Sequence, residues 1–260
     1  RLDGEAQKGV YPKDVILEVL GRIRADGAVY KAIDFTGSYV EKLNVAGRMT
    51  ICNMAVEMGA KTAYMQPNAD VLNYVDKRAV RPYEVQFTDP DFQYEESYVF
   101  DVSKIEPNLA CPSSVENVHP LSEVVANGPI KLNQGYIGSC TGGRVEDIAI
   151  AAKILKGRHI PEYTRLIIVP ASNEVMQECM KAGYIQDLMN AGATITTPGC
   201  GACLGAHEGI LAPGEVCITS TNRNFPGRMG STEALMYLAS PATVAASMVN
   251  GCITDPRDFL

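Results

Sequence analysis

Gln134-Gly135-Tyr136-Ile137-Gly138-Ser139-Cys140-Thr141-Gly142-Gly143-Arg144-Val145 runs from a strand pattern, through a turn of small residues, into a helix pattern. Gly135 to Ile137 closes the strand, and Val145 to Leu155 carries the apolar spacing of an amphipathic helix. The same grammar continues downstream. Arg165 to Val169 is a continuous apolar run, as expected of a strand buried on both faces. Asn173 to Ala182 and Tyr184 to Asn190 read as helices, and Thr194 to Thr196 and Glu215 to Thr219 as strands. Pro241 to Asn250 reads as a helix with proline in its first turn. Strands separated by helices predict an α/β chain with mostly parallel sheets flanked by helices. In such sheets ligands gather beyond the carboxyl ends of the strands.

Cys140 sits at such an end. Sixty positions on, the Thr194 strand runs into Pro198-Gly199-Cys200-Gly201-Ala202-Cys203-Leu204-Gly205-Ala206-His207-Glu208-Gly209. The C-x2-C spacing lets two thiolates converge on one metal centre, and the glycines let the backbone fold tightly around it. Both turns follow strands, so Cys140, Cys200 and Cys203 belong on one rim. On spacing alone two metals compete. Three cysteines suit an iron–sulfur cluster with one iron left open. With His207 they also make a closed Cys3His zinc site. An accidental grouping is the third reading.

Two further constellations belong to this rim. Thr221-Asn222-Arg223-Asn224-Phe225-Pro226-Gly227-Arg228 follows the Glu215 strand, and paired guanidinium forks match a di- or tricarboxylate. Taken alone, a polar surface loop explains it as well. Asn53 and Glu57 are four apart on a helix expected over Val45 to Met58, and so share a face. An ordinary amphipathic edge explains that pair equally. Arg48 and Gly142-Gly143 are further candidate donors to a polar pocket, the glycines as a weak anion cradle.

Upstream, helices are expected over Asp14 to Ala25, Ser38 to Leu43 and Asp70 to Lys77, with strands over Val29 to Phe35, Lys61 to Met65 and Ser97 to Val102. Ser38 is the expected cap of its helix. Arg78 to Tyr98 loses apolar periodicity and reads as a connector; Ile105 to Pro129 reads as loop. A domain boundary is expected near residue 103, giving one α/β domain over 1–102 with the Asn53/Glu57 helix and another over 103–260 with the cysteines.

The 260 residues are enough to bury a sizeable core, and 46% hydrophobic with 20% charged is the balance of a globular protein. A net charge of −7 argues against nucleic acid as a partner. No apolar run approaches the roughly 18 residues that span a bilayer. Eight cysteines are too sparse for a disulfide scaffold; Cys52, Cys179, Cys217 and Cys252 read as small buried hydrophobes, which fits a reducing cytoplasm. The chain opens on Arg1 rather than methionine, and we expect it to be part of a longer protein.

Together these motifs resemble the aconitase superfamily, and within it the large subunits of 3-isopropylmalate dehydratase and homoaconitase. The matching runs are Asp34-Phe35-Thr36-Gly37, Gly47-Arg48-Met49-Thr50-Ile51-Cys52-Asn53-Met54, Ile137 to Asp147, Pro198 to Gly209 and Thr221 to Gly230. The resemblance raises the cluster above zinc. It implies that Cys140, Cys200 and Cys203 hold a [4Fe-4S] cluster, and that Asn53 and Glu57 act beside it. It also implies that Asn222, Arg223 and Arg228 contact a small di- or tricarboxylate. The reaction implied is dehydration and rehydration that moves a hydroxyl between adjacent carbons.

The family usually reads Cys-Thr-Asn-Gly-Arg where this chain has Cys140-Thr141-Gly142-Gly143-Arg144. The family's N-terminal Asp-His and Ser-His-Thr runs are not found. Its serine base belongs to a swivelling domain or small subunit, the partner the resemblance implies. The expectation is the central and C-terminal part of a large subunit, inactive alone.

Overall fold

A computed structural model describes residues 1–260. In chain order, the first half contributes β1 (Leu2–Asp3), α1 (Pro12–Ile23), β2 (Ala32–Asp34), α2 (Ser38–Lys42), α3 (Val45–Met54), β3 (Thr62–Tyr64), α4 (Ala69–Asp76) and β4 (Phe100–Asp101). Next come β5 (Asn108–Ala110), β6 (Val118–Pro120), α5 (Leu121–Ala126), β7 (Gln134–Gly138), the four-residue α6 (Ser139–Gly142), α7 (Val145–Leu155) and β8 (Arg165–Val169). The chain closes with α8 (Asn173–Lys181), α9 (Tyr184–Asn190), β9 (Thr194–Ile195), β10 (Val216–Thr219), β11 (Leu235–Leu238) and α10 (Pro241–Asn250). No helix is long and apolar enough to cross a membrane.

A seven-stranded sheet in the order β6-β5-β11-β10-β7-β8-β9 organises the molecule. β11, β10, β7, β8 and β9 run parallel, and β5 and β6 add an antiparallel edge. Two-stranded parallel sheets, β1 with β4 and β2 with β3, complete the chain. The large sheet is apolar on both faces because the central strands carry apolar residues at successive positions, as in Leu166 to Val169 and Leu235 to Leu238. Ile137, Leu166, Ile168 and Ile218 meet Ile148, Leu155, Leu188, Val244 and Met248 from the helices on one side. Tyr136, Ile167, Val169, Cys217 and Met236 point to the other side, where Ala202, Cys203, Leu211 and Met229 from loops cover them.

The first half packs its own core around α1 and α3, from Val15, Ile16, Leu20, Ile51, Met54 and Met58, and takes in Ala110 and Leu238 from the large sheet. β5 is therefore shared. Leu109 faces the core under the helices, and its neighbour Ala110 faces the core of the first half.

Three expectations need correction. The 105–129 stretch is not plain loop: it holds β5, β6 and α5. Two three-residue strands among prolines carry no periodicity, and β5 exists because Ala110 pairs with Leu238, far along the chain. The helix expected over Val45 to Met58 changes character, its α-helix ending at Met54 and a 3-10 turn running from Ala55 to Met58. Ser38 is the first residue of α2 rather than its cap; Gly37 holds that position, and the Ser38 hydroxyl accepts from the Gly4 N–H at 3.0 Å.

Candidate active site at the carboxyl end of the sheet

The chain progresses from β7 to β8 to β9 in one direction, then returns to place β10 on the other side of β7. The order reverses between β7 and β10, and the crevice beyond the carboxyl ends of such a strand pair is where open α/β sheets bind ligands. Cys140 leaves β7 there, and Asn222 and Arg223 leave β10 beside it.

The two loops approach to contact. A Cβ built on Gly142 would stand 2.2 Å from Ser220 Oγ and 2.5 Å from its Cβ, so only glycine fits. Gly142 is thus spent on packing rather than on an anion cradle. Gly143 is closed in likewise by the Val169 and Ser139 carbonyls. Ser139 holds a left-handed φ of 63°, uncommon for a residue with a side chain, and its buried hydroxyl has no protein partner.

Helix α3 docks on this turn, with the Thr50 hydroxyl donating to the Thr141 carbonyl at 3.1 Å. One turn on, Asn53 completes a three-way junction. The Thr141 hydroxyl lies 2.7 Å from Asn53 Oδ1 and also contacts Asn222 Oδ1, while Asn222 Nδ2 donates to Asn53 Oδ1 at 2.5 Å. The cysteine turn, the α3 helix and the arginine loop are locked together through one hydroxyl and two amides.

Glu57 and Arg223 stand beside this junction. Arg223 Nε donates to both carboxylate oxygens, at 2.8 and 3.0 Å, and the Glu57 side chain is only 8% exposed. Burial pushes the Glu57 carboxyl above its ordinary pKa, and the nearby charges of Arg223, Lys13 and Arg228 oppose that rise. Glu57 reaches Arg223 from the 3-10 turn, so the shared α-helical face expected for Asn53 and Glu57 is not how they come together. Arg228 lies within electrostatic reach of Glu57, its guanidinium carbon 5.7 Å from the Phe225 ring centroid. Its buried Nε has no hydrogen-bond partner.

The C-x2-C segment forms a 3-10 turn over Gly201–Leu204, closed by the Cys203 N–H donating to the Cys200 carbonyl at 3.0 Å. It folds back over the sheet. The Tyr136 hydroxyl donates to the Cys200 carbonyl at 2.7 Å, tying the turn to β7, the strand that leads to Cys140. Cys140 and Cys200 are exposed, Cys203 is buried, and all three thiols are free. No group of three or more Cys, His, Asp or Glu side chains is spaced to hold one metal ion. The closed Cys3His zinc shell is therefore not formed; His207 is exposed on the far end of the loop. A cluster binds each thiolate through a different iron, so its sulfurs need not meet at a point, and three free thiols, one beyond β7 and two on a turn tied to β7 through Tyr136, suit that donor set.

The remaining cysteines divide as their surroundings dictate. Burial pushes the thiols of Cys52 and Cys179 up to about 11 and that of Cys217 up to about 12, which disfavours their thiolate forms. Arg48 does not join the pocket. It is buried and donates to the carbonyls of Val40, Leu43 and Gln66, holding the α2–α3 corner.

Three contributors escaped the sequence reading: Thr141, Lys13 and Asn224. The Thr141 role has no sequence signal beyond its place after Cys140. Lys13 carries one, since a cation in the first turn of a helix opposes the macrodipole. Asn224 is buried and donates from Nδ2 to the Cys111 carbonyl at 2.8 Å, with the carbonyls of Ala110, Ser114 and Met236 at 3.3 Å.

The chain is similar to known proteins over nearly its whole length. The model of the aconitase family (aconitate hydratase) matches residues 1–251. A 3-isopropylmalate dehydratase large subunit 1 from Methanopyrus kandleri is 50% identical over 262 residues, covering 100% of this chain and 61% of the relative. A probable methanogen homoaconitase large subunit from Methanothermobacter thermautotrophicus is 49% identical over 254 residues, covering 98% of this chain and 59% of the relative. A 3-isopropylmalate dehydratase large subunit from a Hydrogenobaculum species is 46% identical, again over 98% of this chain and 59% of its own length. The chain thus spans about three fifths of the curated relatives it matches.

Proposed function

The chain belongs to the aconitase family, and on that premise we propose that it is the catalytic portion of a hydro-lyase large subunit. The proposed enzyme isomerises a hydroxy-di- or tricarboxylate by dehydration and rehydration, and its substrate is 3-isopropylmalate, as in leucine biosynthesis. Homoaconitate is the second reading. It is favoured by the near-equal identity, 49% against 50%, to relatives named for each activity. The observation that carries the proposal is the junction of Thr141, Asn53 and Asn222, which joins the cysteine turn, helix α3 and the arginine loop, with the buried Glu57 carboxylate held by Arg223 from that same loop.

Cys140, Cys200 and Cys203 would hold a [4Fe-4S] cluster. When bound, it supplies an open iron that acts as a Lewis acid toward a substrate oxygen. The chain's own residues do the rest. Arg223, paired with Glu57 only through Nε, has its terminal nitrogens free for a substrate carboxylate, and Arg228 adds a buried Nε without a partner. Asn53 and Asn222 fix the orientation of polar groups around the departing hydroxyl. Glu57, its proton affinity raised by burial, gives a proton to the departing hydroxyl, which leaves as water, and takes it back when water adds again. Fixed donors and charges also spare the site reorganisation as charge develops. The proton on carbon is assigned to a group on the small swivelling subunit, the partner the relatives' names imply. A reducing cytoplasmic setting fits eight free cysteines.

The test pairs the full-length chain with its small subunit and reconstitutes iron and sulfide under anaerobic conditions. Isopropylmalate, homoaconitate, citraconate and dimethylmalate are then assayed side by side. A brown complex that turns over isopropylmalate is expected, with iron and sulfide lost in Cys140→Ser, Cys200→Ser and Cys203→Ser. A complex without iron and inorganic sulfide would sink the proposal.

A further inference from the structure

The loop that carries Asn222 and Arg223 is gripped from both flanks by buried side chains. On the far flank is Asn224, tied to carbonyls around the end of β5. On the near flank is Lys13, only 2% exposed, which donates from Nζ to the Thr221 carbonyl at 2.6 Å and the Ser220 carbonyl at 3.2 Å, with Met54 Sδ at 3.3 Å. These three contacts use all three donors of the ammonium. The placement is costly twice over. A cation in the first turn of α1 opposes the helix dipole, and burial strips its water. What offsets these costs is the backbone it holds, two carbonyls at the tip of β10 where the chain turns into the site. Its charge also faces the Cys203 thiol and the carboxylates of Glu57, Asp147 and Asp14.

We infer that Lys13 is a positioning residue for the site. It sets the direction in which the chain leaves β10, and through that the seating of Asn222 on Asn53 and of Arg223 on Glu57. The hydrogen bonds of Lys13 go to the main chain at Ser220 and Thr221 and to Met54, rather than to the side chains of Asn222, Arg223 or Glu57. The inference rests on the roles proposed above for those residues. A lysine that served packing alone would stabilise α1 and the rim together; one that aims the loop affects residues 220–226 and the reaction selectively.

The test uses the full-length large subunit in complex with its small subunit, as wild type, Lys13→Met, Lys13→Gln and Lys13→Arg. Methionine preserves the length of the side chain and packs beside Met54. Amide hydrogen exchange across residues 219–226 is read by mass spectrometry on metal-free and reconstituted protein, alongside kcat, KM, iron and sulfide.

In Lys13→Met, exchange in this segment is expected to rise about tenfold or more while α7 and α10 stay unchanged. The kcat should fall about 100-fold with KM moved less than about threefold, at full iron content. Lys13→Gln should fall between, and Lys13→Arg should recover most of the loss. Should Lys13→Met not fold, the comparison of Gln with Arg carries the same reading. Unchanged exchange at 219–226, or a rise spread evenly over the chain, would overturn the inference. A wild-type complex that turns over none of the acids would defeat the proposed reaction. The exchange measurement on the metal-free chain would still decide the place of Lys13.

Discussion

Arg223 reaches both carboxylate oxygens of Glu57 through its Nε alone, across 166 residues of chain. Burial raises the Glu57 pKa and Arg223 is the strongest influence holding it down. Replacing the arginine by glutamine leaves the burial and removes the charge, so the Glu57 pKa should climb further. Isotope-edited infrared titration of the carboxylate reads this directly. A pKa that stays put or falls in Arg223→Gln would contradict the pairing.

Arg228 keeps a buried Nε with no partner, a donor that a bound carboxylate would satisfy. Arg228→Lys removes that donor and the planar fork while keeping the charge. A hydrogen bond to a charged group is worth about 1.5–3 kcal/mol, so the affinity for a dicarboxylate inhibitor should fall about 10- to 150-fold. Calorimetric titration of the assembled enzyme checks it, with an unchanged melting temperature as the control for folding.

Asp14 is fully buried at the start of α1, where it accepts from the N–H groups of Tyr11 at 2.8 Å and Asn108 at 3.1 Å. Burial pushes its pKa from 3.8 up to about 7, and Asp147 is pushed up to about 7 in the same way. The folded chain therefore keeps protons that the unfolded chain releases above about pH 4, and stability should fall as pH rises toward 7. Urea midpoints at pH 5 and pH 7.5 should show the drop. In Asp14→Asn the drop should shrink, and the midpoint at pH 5 should be lower, because one amide oxygen cannot accept both N–H groups. A midpoint that rises from pH 5 to pH 7.5 would refute this.

Gly142→Ala forces a methyl to within 2.2 Å of Ser220 Oγ and 2.8 Å of the Ser220 carbonyl. Overpacking of this kind costs about 1–3 kcal/mol. The loss should appear in urea unfolding of the chain and be larger than for Gly199→Ala, where a Cβ meets nothing within 4 Å. Equal effects at the two positions would mean that the turns after β7 and β10 do not approach at Gly142 and Ser220.

Elements with strong local signals were legible in the sequence. Val145–Leu155, Arg165–Val169, Tyr184–Asn190 and Pro241–Asn250 fold over the spans their apolar patterns mark out, the last with Pro241 in its first turn and Ser240 as cap. β5 and β6 were not legible because three residues carry no period and the partner strand lies far away. Within the site, cysteines, asparagines and arginines announced themselves by type and by their position after strands. The side chains that hold them in place did not. Lys13 and Asn224 bind main-chain carbonyls about 100 to 200 residues away, and a carbonyl belongs to every residue type alike. Arg48 shows the converse, a conspicuous arginine near a motif whose donors all go to the backbone.

The shared strand β5 has a mechanical consequence. Leu109 is anchored in one apolar interior and Ala110 in the other, so any hinge between the two halves would have to pull a single strand apart. Rocking of one half against the other is thereby blocked at low energy. A ligand therefore meets a crevice whose walls, α3 on one side and the turns after β7 and β10 on the other, keep a fixed spacing.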